Sequence, residues 1–299
     1  MDNLSGLAAF VRAAETLSFV AAGRDLGLSA SAVGKSIARL EKHLGVRLFH
    51  RTTRQISLTD EGMTFFVRCR SALQEIEDAE AELSKAKGTP RGRLKISLPT
   101  IGYRLLLPVI PQFRHAYPEI DLEFDFSDRL VDVINEGFDA VIRSGPLSDS
   151  TLTAKPLCPY RFIVCASPAY FVQYGALGNA RDLANHVCLR FKYPSSGKLQ
   201  EWLLNGVSVL QGQSASVRSQ QLVFNNTEAV LSAALQGLGI AYVPDFVARE
   251  PLAEGKLRPV LESASTRQGM FQILWATNRH MVPRLRVFID FLGQHLHRE

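Results

Sequence analysis

This sequence is poor in cysteine. Its four cysteines, Cys69, Cys158, Cys165 and Cys188, form no Cys-x-x-Cys pair, so they read as reduced thiols and not as a disulfide framework. No uninterrupted apolar run reaches membrane-spanning length, and a membrane partner is not expected. The first residues carry Asp2 and no basic start ahead of the apolar ones, a poor secretory leader, so a cytoplasmic protein is expected. Internal repeats and low-complexity tracts are absent. So are Gly-x-Ser-x-Gly and His-Glu-x-x-His, and nothing gathers serines and histidines into a catalytic set; an enzyme is not expected. His295 and His297 stand without a carboxylate or cysteine cluster, which favours solvated histidines over a metal site. Gly34-Lys35-Ser36 resembles the end of a phosphate loop, but Ser29 stands where its first glycine belongs. Gly237 and Gly239 lack the third glycine of a dinucleotide fingerprint. No cofactor is therefore expected.

What is present can fill more than one core. The chain has 299 residues, 46% of them hydrophobic and 21% charged, which suits two or three globular domains. A net charge of +5 permits nucleic acid without requiring it. Its distribution says more: Lys35, Arg39, Lys42, Arg47, Arg51 and Arg54 face only Glu41 between residues 35 and 54, and acids dominate beyond Thr59. Such a patch is either a footprint for phosphates or an ordinary solvated face.

Leu4, Leu7, Phe10, Val11 and Ala14 recur at helical spacing. Ser18 can cap a second helix that Gly27 ends, and Ser29 a third that Gly45 ends. In the third, Val33, Ile37, Leu40 and Leu44 face inward, while Ser31, Ala32, Lys35, Ser36 and Arg39 lie opposite. Two helices around a short glycine turn, the second with a small and basic outer face, predict a helix-turn-helix; any three-helix core is the alternative. Residues 46–58 predict a hairpin beside it, a wing whose Arg51, Thr52, Thr53 and Arg54 would reach DNA. Thr59 then caps a long helix in which Phe66, Cys69, Leu73, Ile76, Glu80 and Leu83 form a seam. That seam is either a dimerisation surface, through Phe66, Leu73, Ile76 and Leu83, or a face packed on its own domain.

After the Gly88–Gly92 hinge, strands alternate with helices. Strands are expected near residues 94–98, 120–126, 138–142, 162–166, 187–191, 240–243 and 271–276. Helices are expected at Leu130–Glu136, Thr227–Gln236 and Pro283–His297, and the sheet is expected to be largely parallel.

The run from Leu7 to Gly62 resembles the LysR-type transcriptional regulators. Phe10, Ser18-Phe19, Ala21-Ala22, Leu28-Ser29, Leu40-Glu41, Leu44-Gly45, Leu48-Phe49, Arg51, Leu58-Thr59 and Glu61-Gly62 all sit at the family's spacing. Tyr117-Pro118-Glu119-Ile120, Glu136-Gly137-Phe138-Asp139 and Gly237-Leu238-Gly239-Ile240 continue the likeness. One departure is Gly34, where many members carry a serine. The resemblance implies an α/β protein: an N-terminal winged helix-turn-helix (residues 1–59), a linker helix (60–88), and an effector domain (89–299) of two α/β subdomains like periplasmic binding proteins. The chain would cross between the subdomains near 160–165 and 258–261. It implies binding of double-stranded operator DNA, a small-molecule effector in the inter-subdomain cleft, and self-association as dimers and tetramers.

In open α/β sheets ligands sit beyond the carboxyl ends of strands. Here those ends offer Thr100, Ile101, Ser127, Asp128, Arg143, Asn226 and Thr227, a set that suits a small anionic or polar molecule such as an organic acid. Thr100, Asp128 and Thr227 are equally at home as helix caps, and Arg143 as half of an ion pair. A solute-binding protein or an α/β enzyme with an unrelated helical domain is the competing reading. The first 60 residues weigh against it, because neither needs a basic recognition helix. An effector-blind DNA-binding protein is a third.

Overall fold

The computed structural model describes residues 2–51, 56–83, 89–133, 136–145, 151–210, 221–265, 267–277 and 281–296. They form two compact units: residues 1–89 with 132–137, and residues 90–131 with 138–299.

The first unit opens with α1 (Asp2–Thr16), α2 (Phe19–Leu26) and α3 (Ala30–Leu44). Ser18 Oγ accepts from the Ala21 N–H at 3.2 Å and starts α2. Gly27, at φ +66°, ends it in the left-handed region that glycine enters without a Cβ clash. Ser29 starts α3 in the same manner, accepting from the Ala32 N–H at 3.1 Å. The three helices bury Phe10, Ala22, Val33 and Ile37 completely. Phe49 meets Phe10 and Phe19 edge-on, with centroids 5.5 and 5.7 Å apart. Leu4 and Leu44 are 47% and 37% exposed, so the apolar stripes of α1 and α3 outrun the core at their ends and Leu44 does not face inward as expected.

The expected hairpin is present as β1 (Phe49–Arg51) antiparallel to β2 (Ile56–Leu58), with Phe49 opposite Leu58. Glu41, the one acid of the basic stretch, is a strut for it. Its Oε1 accepts from the N–H groups of Leu48 at 2.9 Å and Phe49 at 3.2 Å. Thr59 Oγ1 accepts from the Gly62 N–H at 2.9 Å and starts α4 (Asp60–Leu83).

The second unit contains β3 (Gly92–Leu98), α5 (Tyr103–Leu106), α6 (Ile110–Ala116), β4 (Ile120–Phe126), β5 (Ala140–Ser144), β6 (Leu152–Ala166) and α7 (Pro168–Tyr174). β7 (Cys188–Phe191), a small hairpin of β8 (Leu203–Leu204) with β9 (Val207–Ser208), and β10 (Gln221–Phe224) follow. α8 (Thr227–Leu235), β11 (Ile240–Pro244), α9 (Asp245–Ala253), β12 (Arg258–Val260), β13 (Gln268–Ala276) and α10 (Pro283–His295) complete it. The strand order is β10-β7-β11-β6-β13-β5-β3-β4, with β12 also on β6.

Two lobes share this order. β3, β4 and β5 build one by parallel pairing, and β7, β10 and β11 build the other likewise. β6 belongs to both. Its residues 152–161 pair antiparallel with β13, and 162–166 pair antiparallel with β11 and β12. The chain returns from the second lobe to the first between Val260 and Gln268. The sheet is therefore mixed, not largely parallel, because a strand that spans both lobes runs against its neighbours in each. The helix expected at Leu130–Glu136 is also absent among the described residues. Residues 130–132 are irregular, and the Glu136 N–H closes a single turn on the Asp132 carbonyl at 2.9 Å. Gly137, at φ +66°, follows before helix propagation can repay its nucleation.

Candidate functional site

Each unit presents one candidate surface. On the first it is the outer face of α3. Val33 and Ile37 are fully buried and Leu40 is 6% exposed, which fixes the helix's rotation. Ser31, Lys35 and Arg39 are thereby turned to solvent, with Ala32 and Ser36 half-buried at the stripe's edge. Ser29 is exposed at the helix start, its oxygen already capping. Arg39 leans on its own helix, donating from Nη2 to Ser36 Oγ at 3.4 Å. A Cβ at Gly34 would lie 3.9 Å from Phe19 Cδ2, so this position faces α2 rather than the exposed row. Arg51 is the last residue of β1, opposite Ile56; Thr52, Thr53 and Arg54 lie outside the described residues. The exposed cations and small side chains thus share a convex helix face, a shape that enters a major groove.

The seam of α4 divides. Cys69 is buried in the core of the first unit, and Phe66 and Leu73 pack against that core. Ile76 is 41% exposed. The side chains of Glu80 and Leu83 lie outside the described residues. Burial raises the Cys69 thiol to about 11. The other three cysteines are also buried, with values of about 11 to 12 from the same cause.

In the second unit a cleft of about 180 Å³ lies between the lobes. Four of the expected residues, Ile101, Asp128, Arg143 and Thr227, line it together. The other three stand behind the wall or cap it. Thr100 donates its N–H and hydroxyl to the two carboxylate oxygens of Asp128, at 3.0 and 2.6 Å. Ser127 Oγ accepts from the Arg129 N–H at 3.4 Å. Asn226 Oδ1 accepts from the Ala229 N–H at 3.1 Å, so the cap of α8 is Asn226 and not Thr227. Arg143 donates to Ser97 Oγ and the Ile142 carbonyl at 2.8 Å, and to the Arg129 carbonyl at 3.3 Å.

Sequence reasoning missed the aromatic part of this wall. Tyr160, Phe162, Phe191, Tyr193, Tyr242 and Phe271 all line the cleft, from β6, β7 and its following loop, β11 and β13. Tyr160 sits where β6 passes between the lobes. Its ring lies 4.9 Å from Phe271 and 5.5 Å from Phe162, and its hydroxyl donates to Ser144 Oγ at 3.0 Å. Gly269 stands opposite it across the strand pair, and a Cβ there would come within 2.2 Å of the Tyr160 ring, so a bare backbone makes room for the side chain. Burial raises the Tyr160 and Tyr242 phenols, which stay protonated and able to donate. Only Phe191, the last residue of β7, and Tyr193 just beyond it stand at a strand end, where such a rule could have found them.

A second link joins the lobes. Arg104 on α5 donates from Nε and Nη2 to the two carboxylate oxygens of Glu228 on α8, at 2.7 and 2.8 Å. The bonds from Arg104 hold the Glu228 carboxyl below the ordinary carboxylate range. Among the described residues no helix is long and apolar enough to cross a membrane, and no group of histidine, cysteine, aspartate or glutamate is placed to hold a metal.

Comparison with known proteins covers both units. Residues 4–63 match the bacterial regulatory helix-turn-helix protein model of the lysR family, and residues 87–297 match the LysR substrate binding domain. The regulator CrgA of Neisseria meningitidis serogroup C is 37% identical over 298 residues, covering 98% of this chain and 97% of its own. The uncharacterized regulator YcaN of Escherichia coli is also 37% identical, over 97% of this chain and 94% of its own. A structure of CrgA from Neisseria meningitidis, described as a LysR-type transcriptional regulator, aligns with TM-score 0.61 at 36% identity over 98% of both chains.

Proposed function

This chain belongs to the LysR family of transcriptional regulators, and we propose how its two units divide the work. It is a DNA-binding regulator, not an enzyme, whose activity a small-molecule effector modulates. Residues 1–59 read operator DNA, 60–88 link and pair the chains, and 89–299 sense the effector. Ser31, Ala32, Lys35, Ser36 and Arg39 meet the major groove or its phosphates, with Ser29 at the helix N-terminus, where backbone N–H groups favour phosphate. Arg51, Thr52, Thr53 and Arg54 supply the wing. The observation that carries this reading is the exposed row of Lys35 and Arg39 on a helix locked by the buried Val33 and Ile37.

The protein works in the cytoplasm as a dimer that pairs into a tetramer. The exposed Ile76 continues the α4 seam beyond the part spent on the unit's own core, and pairing through Phe66, Leu73, Ile76 and Leu83 remains the proposal. The effector is a small organic acid held in the inter-lobe cleft against Arg143, with Ile101, Asp128 and Thr227 on the same wall. The inter-lobe bond of Arg104 to Glu228 supports a cleft whose geometry can differ with occupancy, which is what an effector needs in order to shift a population.

Footprinting of the DNA upstream of the protein's own gene, repeated with a panel of metabolites, tests both halves. A protected palindromic site whose extent changes with one acid is expected. Equal protection of unrelated DNA would refute the operator reading. A footprint indifferent to every acid would refute the effector reading.

A further inference from the structure

Arg70 joins a turn to the helices of the DNA-reading unit. Residues 132–137 stand in sequence between β4 and β5, yet they belong to the first unit. Asp132 and Glu136 close them into a turn: the Glu136 N–H donates to the Asp132 carbonyl, and the Asp132 N–H to Glu136 Oε1, both at 2.9 Å. Gly137 ends the turn, and its carbonyl accepts from Nη2 of Arg70, on α4, at 3.4 Å. Glycine is required there twice. Its φ is +66°, and a Cβ would lie 3.1 Å from Arg70 Cζ, against the guanidinium itself.

The same guanidinium faces α1. Its Nε stands 3.9 Å from Glu15 Oε1, while the other oxygen of Glu15 accepts from Arg12 Nη1 at 2.9 Å. Arg12 Nε reaches Asp25 Oδ2 on α2 at 2.7 Å. Opposite charges therefore alternate from α4 through α1 to α2, and the series starts at the Gly137 carbonyl. α2 shares a core with the recognition helix, in which Ala22, Val33 and Ile37 are all fully buried. At the other end of the series, β5 begins three residues after Gly137 and carries Arg143 and Ser144 of the cleft wall.

We infer that Arg70 is a positioning residue for DNA binding: it clamps the Gly137 turn onto α1, so that the state of the turn and the placement of α2 beside the recognition helix depend on each other. This rests on the reading of α3 as the DNA-contacting helix, not on what fills the cleft. A guanidinium has donors enough to serve a carbonyl and a carboxylate at once. The four charged side chains of the series are 22–40% exposed, so water competes for every bond and the clamp is weak. A weak clamp is one that a ligand can bias, whereas a deeply buried one would be locked. If DNA tightens the clamp, the clamp must favour DNA by the same factor.

The test is hydrogen exchange on the full-length protein, free and bound to the DNA upstream of its own gene. In the free protein Arg70→Met should speed exchange of the amides from Glu136 to Asp139 about threefold, with β13 and α10 unchanged. DNA should slow those amides in the wild type, and Arg70→Met should remove that response. Reciprocity then requires Arg70→Met to weaken DNA binding about threefold, or about 0.65 kcal/mol at 1.36 kcal/mol per tenfold, within the range of part-exposed ion pairs. The slope of log affinity against log salt should not change, because the clamp is made within the protein. Arg70→Lys keeps the charge without the fork and should restore part of the response. Glu15→Gln breaks the next link and should remove the response as well; the two changes together should do no more than either alone.

Unchanged exchange at 136–139 in free Arg70→Met would show that no clamp exists and overturn the inference. Faster exchange there with the DNA response intact would make Arg70 a local brace and overturn the coupling. A reduced salt slope would place Arg70 on phosphate and overturn it too. Failure of the wild type to bind this DNA would overturn the operator reading and the coupling together, whereas the other failures leave the operator reading intact. Glu15→Gln carries the same comparison if Arg70→Met fails to fold.

Discussion

Glu228→Gln is predicted to loosen the cleft. The substitution keeps the side chain's volume and one carbonyl oxygen for Arg104, but removes the charge that makes both bonds short. The two bonds, at 2.7 and 2.8 Å, form a bidentate pair between side chains 24% and 27% exposed. Fully exposed ion pairs contribute only about 0.2–1 kcal/mol. Hydrogen bonds to charged groups contribute about 1.5–3 kcal/mol when solvent is kept away. A partly shielded pair belongs between these, at about 1.5 kcal/mol, or roughly a tenfold change in an equilibrium. If the bonded arrangement is the one that holds ligand, the apparent affinity falls in proportion to its population, by up to about tenfold.

The assay is a double-mutant cycle of Arg104→Met and Glu228→Gln, read by effector affinity and by hydrogen exchange in α8. A coupling energy near 1.5 kcal/mol is expected. Additivity within about 0.3–0.5 kcal/mol would show that the pair contributes nothing to closure and would refute the reasoning. The pH dependence has a definite sign. The Glu228 carboxyl is lowered first of all by the hydrogen bonds from Arg104, so its contribution is complete above the ordinary carboxylate range. That contribution disappears only as pH falls through the lowered value. Closure should be flat around neutrality and weaken in acid, and Glu228→Gln should abolish the acid limb.

Lys35→Ala should weaken operator binding and reduce the slope of log affinity against log salt by about 1, measured by fluorescence anisotropy; an unchanged slope removes Lys35 from the phosphates. Ile76→Asp should separate the oligomer in light scattering without unfolding the first unit, because this residue is 41% exposed there, and an unaltered mass would refute pairing through α4. Arg190→Met should leave thermal stability unchanged or raise it. Arg190 is 6% exposed and burial lowers its pKa; among the described residues it pairs with no carboxylate, and residues 211–220 contain none. A loss of more than about 2 kcal/mol in that variant would show an unrecognised counter-charge, since leaving a buried charge unpaired is what costs that much.

The first unit was legible because its determinants are local. Ser18 and Ser29 cap within three residues, and Gly27 and Gly45 stop their helices at the next position. Val33, Ile37 and Leu40 then turn Lys35 and Arg39 outward by helical spacing alone. The seam of α4 was harder. Helical spacing shows that Phe66, Leu73 and Ile76 share a face, but not how far along α4 its own core reaches. Residues 130–136 carry enough apolar character to suggest a helix, whereas the described residues 130–132 are irregular. The four expected cleft residues that do line it, Ile101, Asp128, Arg143 and Thr227, all lie at the ends of regular elements, which the rule for open sheets locates from order alone.

The aromatic wall escaped that rule for a geometric reason. Along β6, Phe162, Val164 and Ala166 pack into one core, while Ile163 and Cys165 turn to the other. β11 repeats the division, with Ile240 and Tyr242 on one side and Ala241 and Val243 on the other. Read singly, each strand is an apolar run buried on both faces, and its aromatics are indistinguishable from filler. They become a site only because β6 leaves one lobe and enters the next, bringing its midpoint against β13 and β11 at the place where the lobes part. Tyr160 occupies that midpoint. It packs on both cores, reaches Ser144 of the first lobe with its hydroxyl, and depends on Gly269 for its space. A change in lobe geometry must pass through β6 or through the return from β12 to β13, so a ligand against Tyr160 touches the passage directly. Tyr160 therefore both lines the cleft and belongs to the strand that crosses between the lobes, and neither property can be read from its neighbours in sequence.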